Sequence, residues 1–129
     1  MFRITKDNII TITRGDSGYI PVTLNINSTV DPQIYELKDT DIVYLGITEP
    51  QKPFEHAIVR KAINGSDHVG ESSVKFVLNP QDTECLVPGV YSYSVKLYEP
   101  EDIIQPEDSI QQTYHVHTIL DKKRLVIIE

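Results

Sequence analysis

At 129 residues with a formal charge of −7 and a single cysteine, the chain has room for one ordinary domain and for no intrachain disulfide. The acidic balance points away from nucleic acid, whose binders carry a basic face for the phosphates. No run approaches the roughly 20 apolar residues of a membrane span, and residues 1 to 20 lack the basic start and apolar core of a signal peptide, so an unexported protein with no membrane partner is expected.

Period-two alternation dominates in chain order. Within ITRGDSGYIPVTLNI, residues 12 to 26, Ile20, Val22, Leu24 and Ile26 fall on one face of a strand, and Tyr19, Pro21, Thr23 and Asn25 on the other. Gly15 and Gly18 bracket the connection between the first two strands, which is hairpin chemistry. The tripeptide Arg14-Gly15-Asp16 is therefore read as a turn rather than an adhesion signal, since adhesion needs export. The same reasoning sets aside the glycosylation sequons at Asn27-Ser28-Thr29 and Asn64-Gly65-Ser66. Val43, Leu45 and Ile47 alternate next, followed by a loop over residues 49 to 56, EPQKPFEH. A strand around Ile58 to Ile63 ends at the turn Asn64-Gly65-Ser66, and Val74, Phe76 and Leu78 alternate after it. Asn79 as N-cap with Pro80 behind it opens one helical turn near 80–86.

Pro88-Gly89 then precedes VYSYSVKLY, residues 90 to 98, where Tyr91, Tyr93, Val95 and Leu97 face a core and Ser92, Ser94 and Lys96 face water. Residues 99 to 109, EPEDIIQPEDS, are acidic and carry Pro100 and Pro106. They lack strand alternation and are read as a long loop. Asp121-Lys122-Lys123 reads as a turn between a strand around Tyr114 to Leu120 and a closing strand, Leu125 to Ile128. About seven or eight short strands with no sustained helical stripe make an all-β chain, an antiparallel immunoglobulin-like β-sandwich in a single domain, 1–129.

Sites for chemistry are sparse. His115 and His117 lie two apart and share a strand face, but zinc needs further ligands, and no spacing links them to His56, His68 or Cys85. They read as exposed imidazoles, and a metal-dependent hydrolase built on them is the weakest of three readings. The acids Glu99, Glu101, Asp102, Glu107 and Asp108 lack the oxygen spacing of an EF-hand. Cys85, among Leu86 and Val87, reads as a small buried apolar residue rather than a thiolate. Neither a phosphate-binding glycine loop nor a Gly-x-Ser-x-Gly elbow occurs, so no enzyme, cofactor or metal is expected. Seven tyrosines give some stacking surface for a sugar, although Tyr91, Tyr93 and Tyr114 read as core; Tyr44 and Tyr98 are the first exposed candidates.

Three pieces in order carry a resemblance: ITRGDSGYIPVTLNI; VKFVLNPQDTECLVPGVYSYSVKLYEP, residues 74 to 100; and VHTILDKKRLVII, residues 116 to 128. Their order resembles small β-sandwich structural proteins of tailed bacteriophages and prophages of Gram-positive bacteria, and is similar to the amino-terminal domain of phage baseplate upper proteins. The resemblance implies a non-enzymatic virion part, made in the host cytoplasm. It would belong to head, neck, tail or baseplate and would contact other phage structural proteins and copies of itself. The helical region that anchors receptor-binding proteins does not follow Glu129, so that role is not expected. The alternative is a module that binds a bacterial surface glycan.

Contacts are expected from Phe54 in the first loop and from Glu101 and Asp102 in the second. The closing run Arg124, Leu125, Val126, Ile127 and Ile128 is the third candidate. Its apolar side chains fall on both faces, so the strand is either central in a sheet, the preferred reading, or covered by a partner.

Overall fold

The computed structural model describes residues 1–26, 33–104 and 110–129, with the backbone alone at 101–104 and 110–113. The sequon Asn27-Ser28-Thr29, Pro106 and the stretch 105–109 lie outside the described residues, as do the side chains of Glu101 and Asp102. Among the described residues ten strands run in chain order: β1 Phe2–Ile4, β2 Ile10–Thr13, β3 Gly18–Thr23, β4 Asn25–Ile26, β5 Gln33–Ile34, β6 Ile42–Thr48, β7 Val59–Asn64, β8 Ser73–Leu78, β9 Gly89–Ile104 and β10 Ile110–Ile128. Among the described residues one α-helical turn, α1, spans Pro80–Glu84, and short 3-10 turns lie at Phe54–His56 and Gly65–Asp67.

One six-stranded sheet has the order β1-β2-β10-β9-β6-β7, and β3 pairs separately with β8. Both contribute to one hydrophobic core. The sheet supplies Ile10, Ile12, Val43, Leu45, Ile47, Tyr93, Val95, Leu97, Leu125 and Ile127; the β3–β8 pair supplies Ile20, Val22, Val74, Phe76 and Leu78. These are the apolar positions of the period-two runs, so the alternation marks the buried face as expected. Tyr91 packs at the margin of the core. The expected cap also forms: Asn79 donates its backbone N–H to Asp82 Oδ2 at 2.7 Å, half of a capping box, with Pro80 in the first turn.

Four expectations about the strands are corrected. The sheet is mixed: β2 runs parallel to β10, with Leu125 opposite Ile10 and Ile127 opposite Ile12. The connection through Gly15 is not a hairpin, because β2 is flanked by β1 and β10 and has no edge left for β3. Gly15, at φ +85°, instead turns the chain from the large sheet to the β3–β8 pair. Asp121-Lys122-Lys123 is a bulge within β10 rather than a turn between strands. His117 pairs with Leu97 and Leu125 with Tyr91, so eight residues of β10 (125 − 117) span six of β9 (97 − 91). The surplus comes from two register shifts, one between Thr118 and Leu120 and one between Leu120 and Lys123; together they preserve the period-two parity, so the buried side chains on either side share one face. Lys122 takes the positive φ there, and its backbone N–H donates to Ser94 Oγ at 2.9 Å.

The fourth correction places strand where a loop was expected. β9 continues through Glu99 and Pro100 to Ile104, paired antiparallel with β10 back to Ile110. Its other neighbour, β6, stops at Ile42 opposite Tyr98. The six pairs from Glu99–His115 to Ile104–Ile110 therefore form a two-stranded ribbon with no third strand on either side among the described residues. At ~3.4 Å per residue it runs on the order of 20 Å past the sheet. Pro100 is tolerated because it sits beyond the last β6 partner, where one side of β9 needs no donor.

Candidate functional site

The root of the ribbon is the most chemically dense place in the described structure, and its two faces differ. On the face continuous with the core, Glu99 stands directly across from His115 and diagonally from His117. His117 Nε2 lies 3.3 Å from Glu99 Oε2 and His115 Nδ1 lies 4.0 Å from the same oxygen. The two imidazole centroids are 4.3 Å apart. Glu99 Oε1 accepts from Lys38 Nζ at 2.6 Å. The Lys38 hydrogen bond, with His117 second, holds the Glu99 carboxyl below the usual carboxylate range against the opposing effect of burial.

A segment crossing beneath this face fixes it to the body. Tyr35 packs on His117, with ring centroids 6.2 Å apart. Its hydroxyl donates to Asp41 Oδ2 at 2.7 Å, and the Lys38 backbone N–H donates to the same oxygen at 2.9 Å. Burial first, and then Asp41, pushes the Tyr35 phenol well above its ordinary value. Asp41 is buried, and Gly65 is its necessary neighbour. A Cβ on Gly65 would lie 2.1 Å from the Lys38 carbonyl oxygen, inside contact distance.

The opposite face is aromatic. Tyr44 on β6, Tyr98 on β9 and Tyr114 on β10 form a row of edge-on rings, with centroids 5.0 Å and then 5.7 Å apart. Phe54 lies beside them against Gly46, under the Lys96 ammonium at 4.9 Å. Arg60 donates to the Glu55 carbonyl at the margin of the same depression. Tyr114 is thus exposed rather than part of the core, and the histidines, expected as exposed imidazoles on the wet face, lie on the core side, where His115 is exposed as expected and His117 is largely covered.

The remaining candidates separate. Leu125 and Ile127 are buried, so they are core and not contacts; β10 is central there, as preferred. Val126 and Ile128 are half-buried on the outer face and Arg124 is exposed. Phe54 is half-buried and already covered by Lys96. Cys85 is exposed rather than buried, because Thr83 and Leu86 take the inward positions of the helical turn; its Sγ donates to the Asp82 carbonyl. His68 bonds Glu71, away from the ribbon.

Arg14-Gly15-Asp16 is a clamped corner. The Gly15 N–H donates to Thr83 Oγ1 at 2.9 Å and that hydroxyl donates to the Asp16 carbonyl at 3.0 Å. Arg14 Nε donates to the Glu84 carbonyl at 3.0 Å. The grouping of Glu99 with the histidines was missed in the sequence because cross-strand neighbours are far apart in the chain. Comparison of the chain with protein families, with curated proteins and with solved structures finds no match in any of the three.

Proposed function

We propose that the chain is a non-enzymatic structural and assembly protein of a tailed-bacteriophage virion, working by docking onto other structural proteins and onto copies of itself. The observation that carries this reading is the ribbon of β9 and β10 beyond the sheet, whose strands each keep an edge unpaired among the described residues. Free edges recruit further strands, and a ribbon offers them away from the body, where a neighbouring subunit can reach. The ordered resemblance of residues 12 to 26, 74 to 100 and 116 to 128 to small phage sandwich proteins supplies the virion context.

The fold is taken as immunoglobulin-like, and three features support that. On that reading β3 and β8, which pair with each other, would correspond to the B and E strands, and the order β10-β9-β6-β7 to G, F, C and the added edge strand of variable-type domains. Near the start of β9, the Tyr91 hydroxyl donates to the Val87 carbonyl at 2.6 Å, the arrangement of a tyrosine corner. The parallel β2–β10 pairing is a departure from a wholly antiparallel sandwich. Electron microscopy of purified particles carrying an antibody-labelled copy tests the proposal. Label at a fixed position on the particle is expected; particles lacking the chain refute it.

A second reading, a glycan-binding module, has one observation in its favour: the row Tyr44, Tyr98 and Tyr114 with Phe54 beside it. Neighbouring aromatic rings are what a sugar face stacks on. Glycan-array binding abolished by Tyr44→Ala and Tyr98→Ala favours this reading, and an unchanged blank array removes it.

A further inference from the structure

We propose that Glu99, His115 and His117 form a transition-metal site at the root of the ribbon, suited to Zn²⁺, with three ligands from the chain and a coordination position open to water or to a partner's group. The ligand atoms of the three residues all lie within 4.8 Å of one another. Bonds of about 2.0–2.1 Å in tetrahedral geometry set ligand atoms roughly 3.3 Å apart. The Glu99–His117 separation of 3.3 Å already meets that spacing. His115, at 4.0 Å from Glu99 and with a side chain 56% exposed, closes the remainder by rotating its ring.

The backbone makes the grouping specific. His115 and His117 share a face because they are two apart on β10, and Glu99 reaches both because it is paired opposite His115. A slip of one residue would send both imidazoles to the tyrosine face. The carboxylate is also oriented. Lys38 occupies Oε1, which leaves Oε2, the oxygen that faces both imidazoles, for the ion. Tyr35, tied to buried Asp41, supports the His117 ring from below. An ion pair between Lys38 and Glu99 accounts for one carboxylate oxygen; it does not account for two imidazoles gathered at the other.

The donor set chooses the class of ion. Two imidazole nitrogens and one carboxylate oxygen suit Zn²⁺ and its first-row neighbours, whereas Ca²⁺ and Mg²⁺ demand all-oxygen shells. The Lys38 ammonium, 2.6 Å from Glu99 Oε1, opposes the ion's charge and weakens the site. The ion would bind β9 to β10 where the ribbon leaves the sheet, a role independent of what the ribbon docks.

The test uses the full chain, stripped of metal with a chelator and titrated with ZnCl₂ by calorimetry, and with CoCl₂ by visible absorption. One ion per chain is expected, with Co²⁺ giving the intense ligand-field bands of a four- or five-coordinate site. His115→Ala and His117→Ala should each weaken binding by more than the roughly 10- to 100-fold that follows loss of a supporting partner. Glu99→Gln should weaken it at least about 10-fold, and His56→Ala and His68→Ala should leave it unchanged. His115 is exposed, so its variant keeps the fold, which circular dichroism confirms. Binding only at millimolar zinc, or binding that survives both His115→Ala and His117→Ala, overturns the site and leaves only adventitious surface chelation.

Discussion

Replacing Thr83 with valine tests whether the Arg14-Gly15-Asp16 corner is held in place by the helical turn across from it. Valine matches threonine in shape but puts a methyl where the hydroxyl was, at a residue only 1% exposed. Two hydrogen bonds go with it: the one accepted from the Gly15 N–H at 2.9 Å and the one its single proton shares between the Asp16 carbonyl at 3.0 Å and the Pro80 carbonyl at 3.2 Å. Each is worth about 0.5–1.5 kcal/mol net, so the loss is about 1–3 kcal/mol. With an unfolding entropy of roughly 2.1 cal/mol/K per residue, the chain as a whole loses about 0.27 kcal/mol per degree, and the thermal midpoint should fall by about 4–11 °C. Urea titration gives the free energy, and hydrogen exchange reads the Gly15 amide directly. Thr83→Ser keeps the hydroxyl and should hold the Gly15 amide protected, at the cost of roughly 1 kcal/mol for the buried methyl. If Thr83→Val leaves the midpoint within a degree of wild type and the Gly15 amide stays protected, the corner is held by something else.

Three further outcomes follow from the ribbon root. Gly65→Ala drives a Cβ to 2.1 Å from the Lys38 carbonyl, a backbone atom that can only move with its segment, and should cost about 1–3 kcal/mol in urea unfolding. Because the Glu99 carboxyl is held below its ordinary 4.5, chiefly by Lys38, it adds stability above that pH and loses it as the pH falls through the lowered value. Glu99→Gln should therefore flatten the acid side of the stability profile below pH 4.5; profiles that stay parallel there for both proteins contradict the ion pair. Tyr98→Ala removes both ring contacts, at 5.0 and 5.7 Å, and should cost about 1–3 kcal/mol, whereas Tyr114→Ala, which ends the row, should cost about half as much.

What could be read from the sequence follows from what alternation measures. A strand with one buried face leaves a period-two record, so Ile20–Val22–Leu24, Val43–Leu45–Ile47, Val74–Phe76–Leu78 and Tyr93–Val95–Leu97 are all legible and all buried. The cap at Asn79 and the strand start at Gly89 are equally local. The ribbon is silent because its acids and Pro100 mimic a loop, and its pairing joins residues that have no local signal in the chain. The parallel β2–β10 pairing leaves no local trace either, since it joins Ile10 to Leu125 across the length of the chain.

The face of His115, His117 and Tyr114 could have been read, but only with the bulge in hand. Counting back in twos from buried Leu125 reaches His117 and His115 when β10 is continuous. Asp121-Lys122-Lys123 looks like the end of a strand, and that broke the count. Cys85 shows the limit of composition: apolar neighbours did not decide burial, because a single helical turn has room for only two inward positions, and Thr83 and Leu86 hold them.

Shortening the ribbon tests docking most directly. Residues 100–114 are replaced by Asn-Gly, a two-residue turn that joins Glu99 to its partner His115 and leaves the core strands intact. The proposed function predicts a chain that keeps its thermal midpoint within a few degrees and is absent from purified particles when it replaces the wild-type copy. A shortened chain that enters particles at the wild-type level contradicts it.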